Sequence, residues 1–238
     1  MTKDLDGKIV AISGGFGCLG QAVARVLAER GARVALIDRA ETPYGGTSVP
    51  QQQLDAFALG NVDLGDFEAT QRAVDTIAEK FGGLDALLNI AGGFRWETIT
   101  EGSVHTWDLM YQMNLKTAVN ATKASLKYLQ QSRDGRIVNV GAGAALKTGV
   151  GMGAYAASKA GVARFTEALS EELAGSPVTV NALLPSIIDT PQNRKDMPDA
   201  DFSRWVKPDG IGKVIRLLLS SDARAITGAL IPVTGAVR

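Results

Sequence analysis

Short apolar runs recur along this chain at KIVAIS (8–13), RVALID (33–38), LDALLNIA (84–91), GRIVNVG (135–141), TVNALL (179–184) and ALIPVT (229–234), and longer stretches of helical period separate them. Runs rich in Val, Ile and Leu suit strands buried on both faces. Strands that alternate with helices must return by crossovers, so they pair in parallel. The pattern predicts an α/β fold, one doubly wound domain over residues 1–238 with a central parallel sheet of about seven strands flanked by helices. Helices are expected at 18–30, 66–81, 103–131, 153–174 and 209–220, and a weaker strand near 54–58. Residues 40–53 and 186–208 hold several prolines and no clean period, so both read as loops.

A sheet of this kind binds ligands at the carboxyl ends of its strands. The first apolar run leads there into Ser13-Gly14-Gly15-Phe16-Gly17-Cys18-Leu19-Gly20 and then a helix. Glycines permit positive φ and close backbone approach, and a helix amino terminus offers free N–H groups to a pyrophosphate. Asp38 ends the second run, near the spacing expected for a carboxylate that accepts hydrogen bonds from the adenine ribose hydroxyls. That charge repels a 2′-phosphate, so NAD(H) is favoured over NADP(H), with Arg39 a partial offset. With a single cysteine, Cys18, and a single histidine, His105, the chain offers no disulfide and no ordinary zinc set, so the expected chemistry is metal-free. Cys18 reads as a small residue facing the phosphate loop, and His105 as a surface or interface residue. Lys+Arg and Asp+Glu both number 25, which leaves no basic excess for nucleic acid or an anionic membrane. The charged amino terminus and the lack of a long apolar span point to a soluble cytoplasmic protein.

Tyr155 and Lys159 lie four residues apart within AYAASKAGVARFTEALSEEL and share one helix face. A phenol is a poor acid–base group at neutral pH, but a neighbouring cation favours its phenolate and brings it toward the working range.

Taken together these segments resemble the short-chain dehydrogenase/reductase family over almost the whole chain. The glycine loop is similar to the family's TGxxxGxG, with Ser13, Gly14 and Gly20 matching and Cys18 where the middle glycine is usual. The resemblance implies a Rossmann fold and places Gly14, Phe16, Cys18, Leu19, Gly20 and Asp38 at the cofactor. It adds Asp63 and Leu64 at the adenine, and Asn89, Ala91 and Gly92 as the NNAG-like segment. Asn114 matches the helix asparagine that holds a proton-relay water, and Tyr155 and Lys159 match the YxxxK catalytic pair. Pro185, Ile188 and Thr190, in NALLPSIIDT, would border the nicotinamide. The helices around 103–131 and 153–174 look like those that pair across a two-fold axis in related proteins, which implies a homodimer or homotetramer.

One position departs from the family pattern. The serine usual thirteen residues before the tyrosine is Ala142 here, and Thr148 is the closest hydroxyl in the following loop. A lost donor to a developing oxyanion costs roughly 3–4 kcal/mol. The stretch 189–205 and the loop GGFGCLG look like the dihydropteridine reductase branch, which also tends to carry alanine at this position. The resemblance implies hydride transfer to an acceptor that is already activated, such as a quinonoid dihydropteridine, an imine or a quinone. Tyr155 would give the proton, Lys159 would tune it, and Phe94, Trp96, Met152 and Trp205 would wall the pocket under a lid at 186–208. Two other readings stay open: a general alcohol/ketone dehydrogenase, and a catalytically weak NAD(H)-binding regulatory protein.

Overall fold

The computed structural model describes residues 4–43 and 57–235. Seven strands form one sheet in the order β3-β2-β1-β4-β5-β6-β7. They are β1 (Ile9–Ser13), β2 (Arg33–Ile37), β3 (Phe57–Leu59), β4 (Ala86–Asn89), β5 (Arg136–Val140), β6 (Thr179–Pro185) and β7 (Leu230–Val233), and every pairing is parallel. Because β1 has β2 on one side and β4 on the other, the chain reverses its direction of travel there, and the crevice opens where Ser13 sits between Ile37 and Asn89.

Alternate residues of the central strands serve two separate cores, as period-two geometry requires. Val10, Ile12, Val34, Leu36 and Leu88 pack against α1 (Cys18–Ala28) and α7 (Pro208–Leu219). Ala11, Ala35, Ile37 and Leu87 pack on the other face against α2 (Phe67–Phe81), α4 (Thr117–Leu129) and α5 (Gly153–Glu172). Local signals fix the helix ends: Asp66 accepts from the N–H groups of Glu68 and Ala69 to start α2, and Gly82, at φ 85°, ends it in the left-handed region. Helix α1 stops at Ala28 rather than at residue 30, ahead of Gly31 at φ 92°.

Two expectations need correction. The helix expected over 103–131 is α3 (Val104–Met110), a π-helical segment (Tyr111–Lys116) and α4, with the Thr117 N–H reaching back to the Gln112 carbonyl. A π segment is a single wide turn set by backbone hydrogen bonds inside an otherwise α-helical stretch, and the residues Tyr111–Lys116 carry no residue type that marks it. The weak strand expected near 54–58 overlaps β3 at Phe57–Leu59; residues 54–56 and most of the loop at 40–53 fall outside the described residues. The stretch 186–208 is not bare loop. It holds α6 (Pro191–Asp196), capped by the Thr190 hydroxyl oxygen, and a 3₁₀ turn at Phe202–Arg204, and a bridge between Ile188 and Val206 closes its ends.

At the opposite end of the sheet from the crevice, Arg136 opens β5 with its side chain fully buried. Its guanidinium pairs with Asp134, which also takes Lys8 at 2.9 Å and Arg224 at 2.8 Å. One carboxylate thus ties the starts of β1 and β5 to the segment that follows α7. Among the described residues no helix is long and apolar enough to cross a membrane.

Candidate active site

At the crevice the glycine loop is built against the loop that follows β4. The Ser13 hydroxyl oxygen accepts from the N–H groups of Ile90 and Ala91 at 3.1 and 3.2 Å. Gly14 stands at φ 68°, and a Cβ there would lie 2.8 Å from the Ala91 backbone. At Gly20 a Cβ would lie 2.2 Å from the Gly14 carbonyl oxygen, so only glycine lets α1 come this close to the loop. No side chain caps α1 at Gly17, which leaves its first-turn N–H groups for an anion. The Asp38 carboxylate sits beside the loop, accepting from Phe16 N–H and Ala40 N–H, each at 3.0 Å. Glycine cradle, uncapped helix and strand-end carboxylate together fit a dinucleotide. Among the described residues no group of three or more His, Cys, Asp or Glu is placed to hold a metal ion.

The other expected cofactor residues divide by how they are placed. Phe16 and Leu19 bury their side chains in the core, so only backbone groups remain for a ligand, and the Phe16 N–H and carbonyl are already engaged with Asp38 and Gln21. Cys18 is exposed at the start of α1, and burial pushes its thiol up, with the Asp189 and Asp209 charges adding to the effect. Asp63 is exposed and turns onto its own Gly65 N–H, while Leu64 is buried. Ala91 and Gly92 line the backbone beside Gly14 and Lys159. Asn89 points into the protein: its amide donates to Thr122 and Asn139. Pro185 ends β6, Ile188 pairs with Val206, and Thr190 caps α6 through its Oγ, which leaves the hydroxyl hydrogen for a ligand.

Tyr155 and Lys159 come together on the first turns of α5. Lys159 is 5% exposed and its Nζ donates to the Val140 carbonyl at 2.8 Å, at the end of β5. Burial holds its ammonium down at about 8, and burial pushes the Tyr155 phenol up to about 12. The expectation is that a neighbouring cation brings the phenol toward neutrality; here burial sets the direction and raises it. Ala142 follows β5 in extended conformation and is 6% exposed, a hydrocarbon where a hydroxyl is usual. Thr148 is exposed.

Asn114 lies in the π segment and is buried. Its Oδ1 accepts from the Gly93 N–H at 2.8 Å, and its Nδ2 donates to the Gly93 carbonyl at 3.1 Å and to Ser158 Oγ at 3.0 Å. Both amide hydrogens are thus committed to protein, which leaves carbonyl oxygens as the groups able to hold a relay water. Gly92 and Gly93 are required by this packing, since Cβ atoms there would meet Asn114 Oδ1 at 2.6 Å and the Met113 sulfur at 2.4 Å.

Beyond Gly93 the chain roofs the site. The Phe94 ring stands edge-on to Tyr155 with centroids 5.0 Å apart, and Trp96 Nε1 donates to the Val150 carbonyl at 3.0 Å. The Glu97 N–H adds a bond to the Gly151 carbonyl at 2.9 Å, so 94–97 is strapped to the loop before α5. Met152 precedes α5 in that loop. Trp205 is buried and packs on Phe202, so it holds the 186–208 segment together from inside. Sequence reasoning missed Ser158 and the cluster of Ile99, Val104, Trp107 and Val150, which lines a cavity of about 410 Å³ on the Arg95 and Glu97 side of the strap. Their signal was four large apolar residues in segments otherwise polar and glycine-rich.

Comparisons with known proteins agree with this geometry. The profile of the family described as short chain dehydrogenase matches residues 8–201. Over 251 aligned positions the chain is 30% identical to the 3-oxoacyl-[acyl-carrier-protein] reductase FabG of Thermotoga maritima, covering 97% of this chain and 98% of that protein. It is 32% identical over 218 positions to the 2,3-dihydro-2,3-dihydroxybenzoate dehydrogenase of Bacillus subtilis, covering 90% and 79%. A solved structure described as "Crystal structure of gox2181" superposes with a TM-score of 0.90 at 26% identity, over 97% of this chain and 96% of that one.

Proposed function

The chain belongs to the short-chain dehydrogenase/reductase family and is an oxidoreductase that uses a nicotinamide cofactor, and on that premise we propose that it reduces an acceptor that arrives already activated. Quinonoid dihydropteridines, cyclic imines and quinones form that class. Ala142 carries the reading. The end of β5 presents a methyl group where a carbonyl substrate would receive a hydrogen bond, and the lost donor costs roughly 3–4 kcal/mol, about 10² to 10³ in rate for a plain ketone. An electron-poor C=N or a quinone needs less external polarisation.

The bound nicotinamide supplies the hydride. Tyr155, protonated at neutral pH because burial pushes it to about 12, is in the state a proton donor needs. Lys159 lies one helical turn on and carries most of its charge at pH 7, so it favours the phenolate left after transfer. The Phe94 ring stands beside Tyr155 as one wall, Trp96 follows it on the same strap, and residues 186–208 act as lid. Asp38 favours NAD(H) over NADP(H), since its carboxylate is fixed beside the loop by two N–H groups. Exposed Trp107, Leu109 and Tyr111 on the 103–131 helices support a homodimer.

A steady-state panel tests this. NADH and NADPH are each offered with quinonoid dihydropterin, 9,10-phenanthrenequinone, a cyclic imine and simple ketones. Activated acceptors with NADH should turn over fastest, and Ala142→Ser should raise ketone turnover about tenfold or more. Rapid ketone reduction by the native enzyme with no turnover of the activated group would sink the reading. That outcome would establish the second reading, an alcohol/ketone dehydrogenase, which the names of the reductase and dehydrogenase relatives favour. Tyr155→Phe with undiminished activity would remove Tyr155 as donor.

A further inference from the structure

Ser158 stands one residue before Lys159 and three after Tyr155, and its side chain is 5% exposed. Its hydroxyl donates to the Tyr155 carbonyl at 2.7 Å and accepts from Asn114 Nδ2 at 3.0 Å. The same Asn114 amide brackets the Gly93 peptide on both sides, and the next residue is Phe94, whose ring stands on Tyr155. A closed path therefore runs from Tyr155 through Ser158, Asn114 and Gly93 to Phe94 and back to the Tyr155 ring. Every polar link in it is buried or half-buried, where an unpaired amide hydrogen costs about 1–3 kcal/mol and the linked groups move as a unit.

We propose that Ser158 is a positioning residue that couples the proton donor on α5 to the acceptor wall at Phe94 through Asn114. It acts through its neighbours, fixing the first turn of α5 against the loop after β4. The proposal rests on the reading of Tyr155 as proton donor. A misplacement of about 1 Å at reacting groups is enough to cost up to about 10²-fold in rate.

The test uses the full chain with NADH and 9,10-phenanthrenequinone. Ser158→Ala, and the isosteric Ser158→Cys with its weaker donor, should lower kcat about tenfold while the KM for NADH stays within twofold. Ser158→Thr, which keeps the hydroxyl, should retain at least a third of kcat. If Ala and Cys variants keep more than half of kcat, the coupling is wrong. If Thr loses as much as Ala, the site senses packing volume and not the hydroxyl, which also overturns the proposal. Should Ser158→Ala fail to fold, the Cys and Thr pair decides. Tyr155→Phe, run in parallel, separates the two readings: full activity there defeats the donor assignment, whereas a large loss there with an unaffected Ser158→Ala defeats only the coupling.

Discussion

Lys159 stores free energy in the folded protein, and the amount follows from its surroundings. Burial lowers its ammonium from the ordinary lysine value of about 10.4 to about 8, while it retains one hydrogen bond to Val140. A group with a depressed folded value that is charged when protonated makes the unfolded state bind more protons between the two values, so stability rises with pH across that window. At about 1.4 kcal/mol per unit, the wild type should gain about 2 to 3 kcal/mol relative to Lys159→Met between pH 7 and pH 10. Taking the difference between the two proteins cancels the other titrating groups. Urea denaturation without added nucleotide, at pH 7, 8, 9 and 10, measures it. A flat difference, or one in which the wild type loses ground as pH rises, would refute the claim that burial controls this lysine. On the proposed mechanism the same substitution should also abolish turnover, so that stability at neutral pH and activity would trade off at one residue.

Two further outcomes are expected. Asp134→Ala leaves the fully buried Arg136 with two carbonyl hydrogen bonds but no carboxylate partner and should cost about 3–5 kcal/mol by urea denaturation; a loss below about 1 kcal/mol would contradict it. Burial raises the Asp134 carboxyl, but the Lys8 hydrogen bond and the Lys8 and Arg136 charges reverse this and leave it below the ordinary aspartate value, so the gap to the variant should close as pH falls through that lowered value. Gly151→Ala places a Cβ at φ 74° and about 2.1 Å from the Trp96 indole, so it should open the 94–97 strap, costing roughly 1–3 kcal/mol and raising the KM for the quinone; an unchanged KM would show that the strap does not shape the pocket.

The sheet was legible because both of its faces are covered. Runs such as RVALI and TVNALLP are mostly apolar on both alternating faces, the pattern that suits a strand buried on both sides. The glycine loop and Asp38 were legible for a related reason: a steric requirement leaves a residue type behind. The π segment at 111–116 left none, since its defining bond from Thr117 to Gln112 is a matter of backbone register. The neighbours of Asn89 were not legible, because an amide at a strand end suits either a ligand or a neighbouring asparagine, and only the placement of Asn139 on β5 shows that its N–H groups turn inward. The phenol at 155 was read from spacing, whereas its proton affinity depends on how much solvent the packed Phe94 loop excludes, a quantity no local pattern carries.

The strand order also bears on how the chain reaches this state. β1 is made first, yet its pairing with β4 joins Ile9 to Asp85 across 76 residues, and β2 and β3 close only the other flank. Such non-local closure slows folding relative to helical proteins of equal size. During synthesis the glycine loop after β1 should therefore gain its second flank only when β4 emerges, leaving the β1 edge unpaired until then, the kind of exposed edge that favours aggregation.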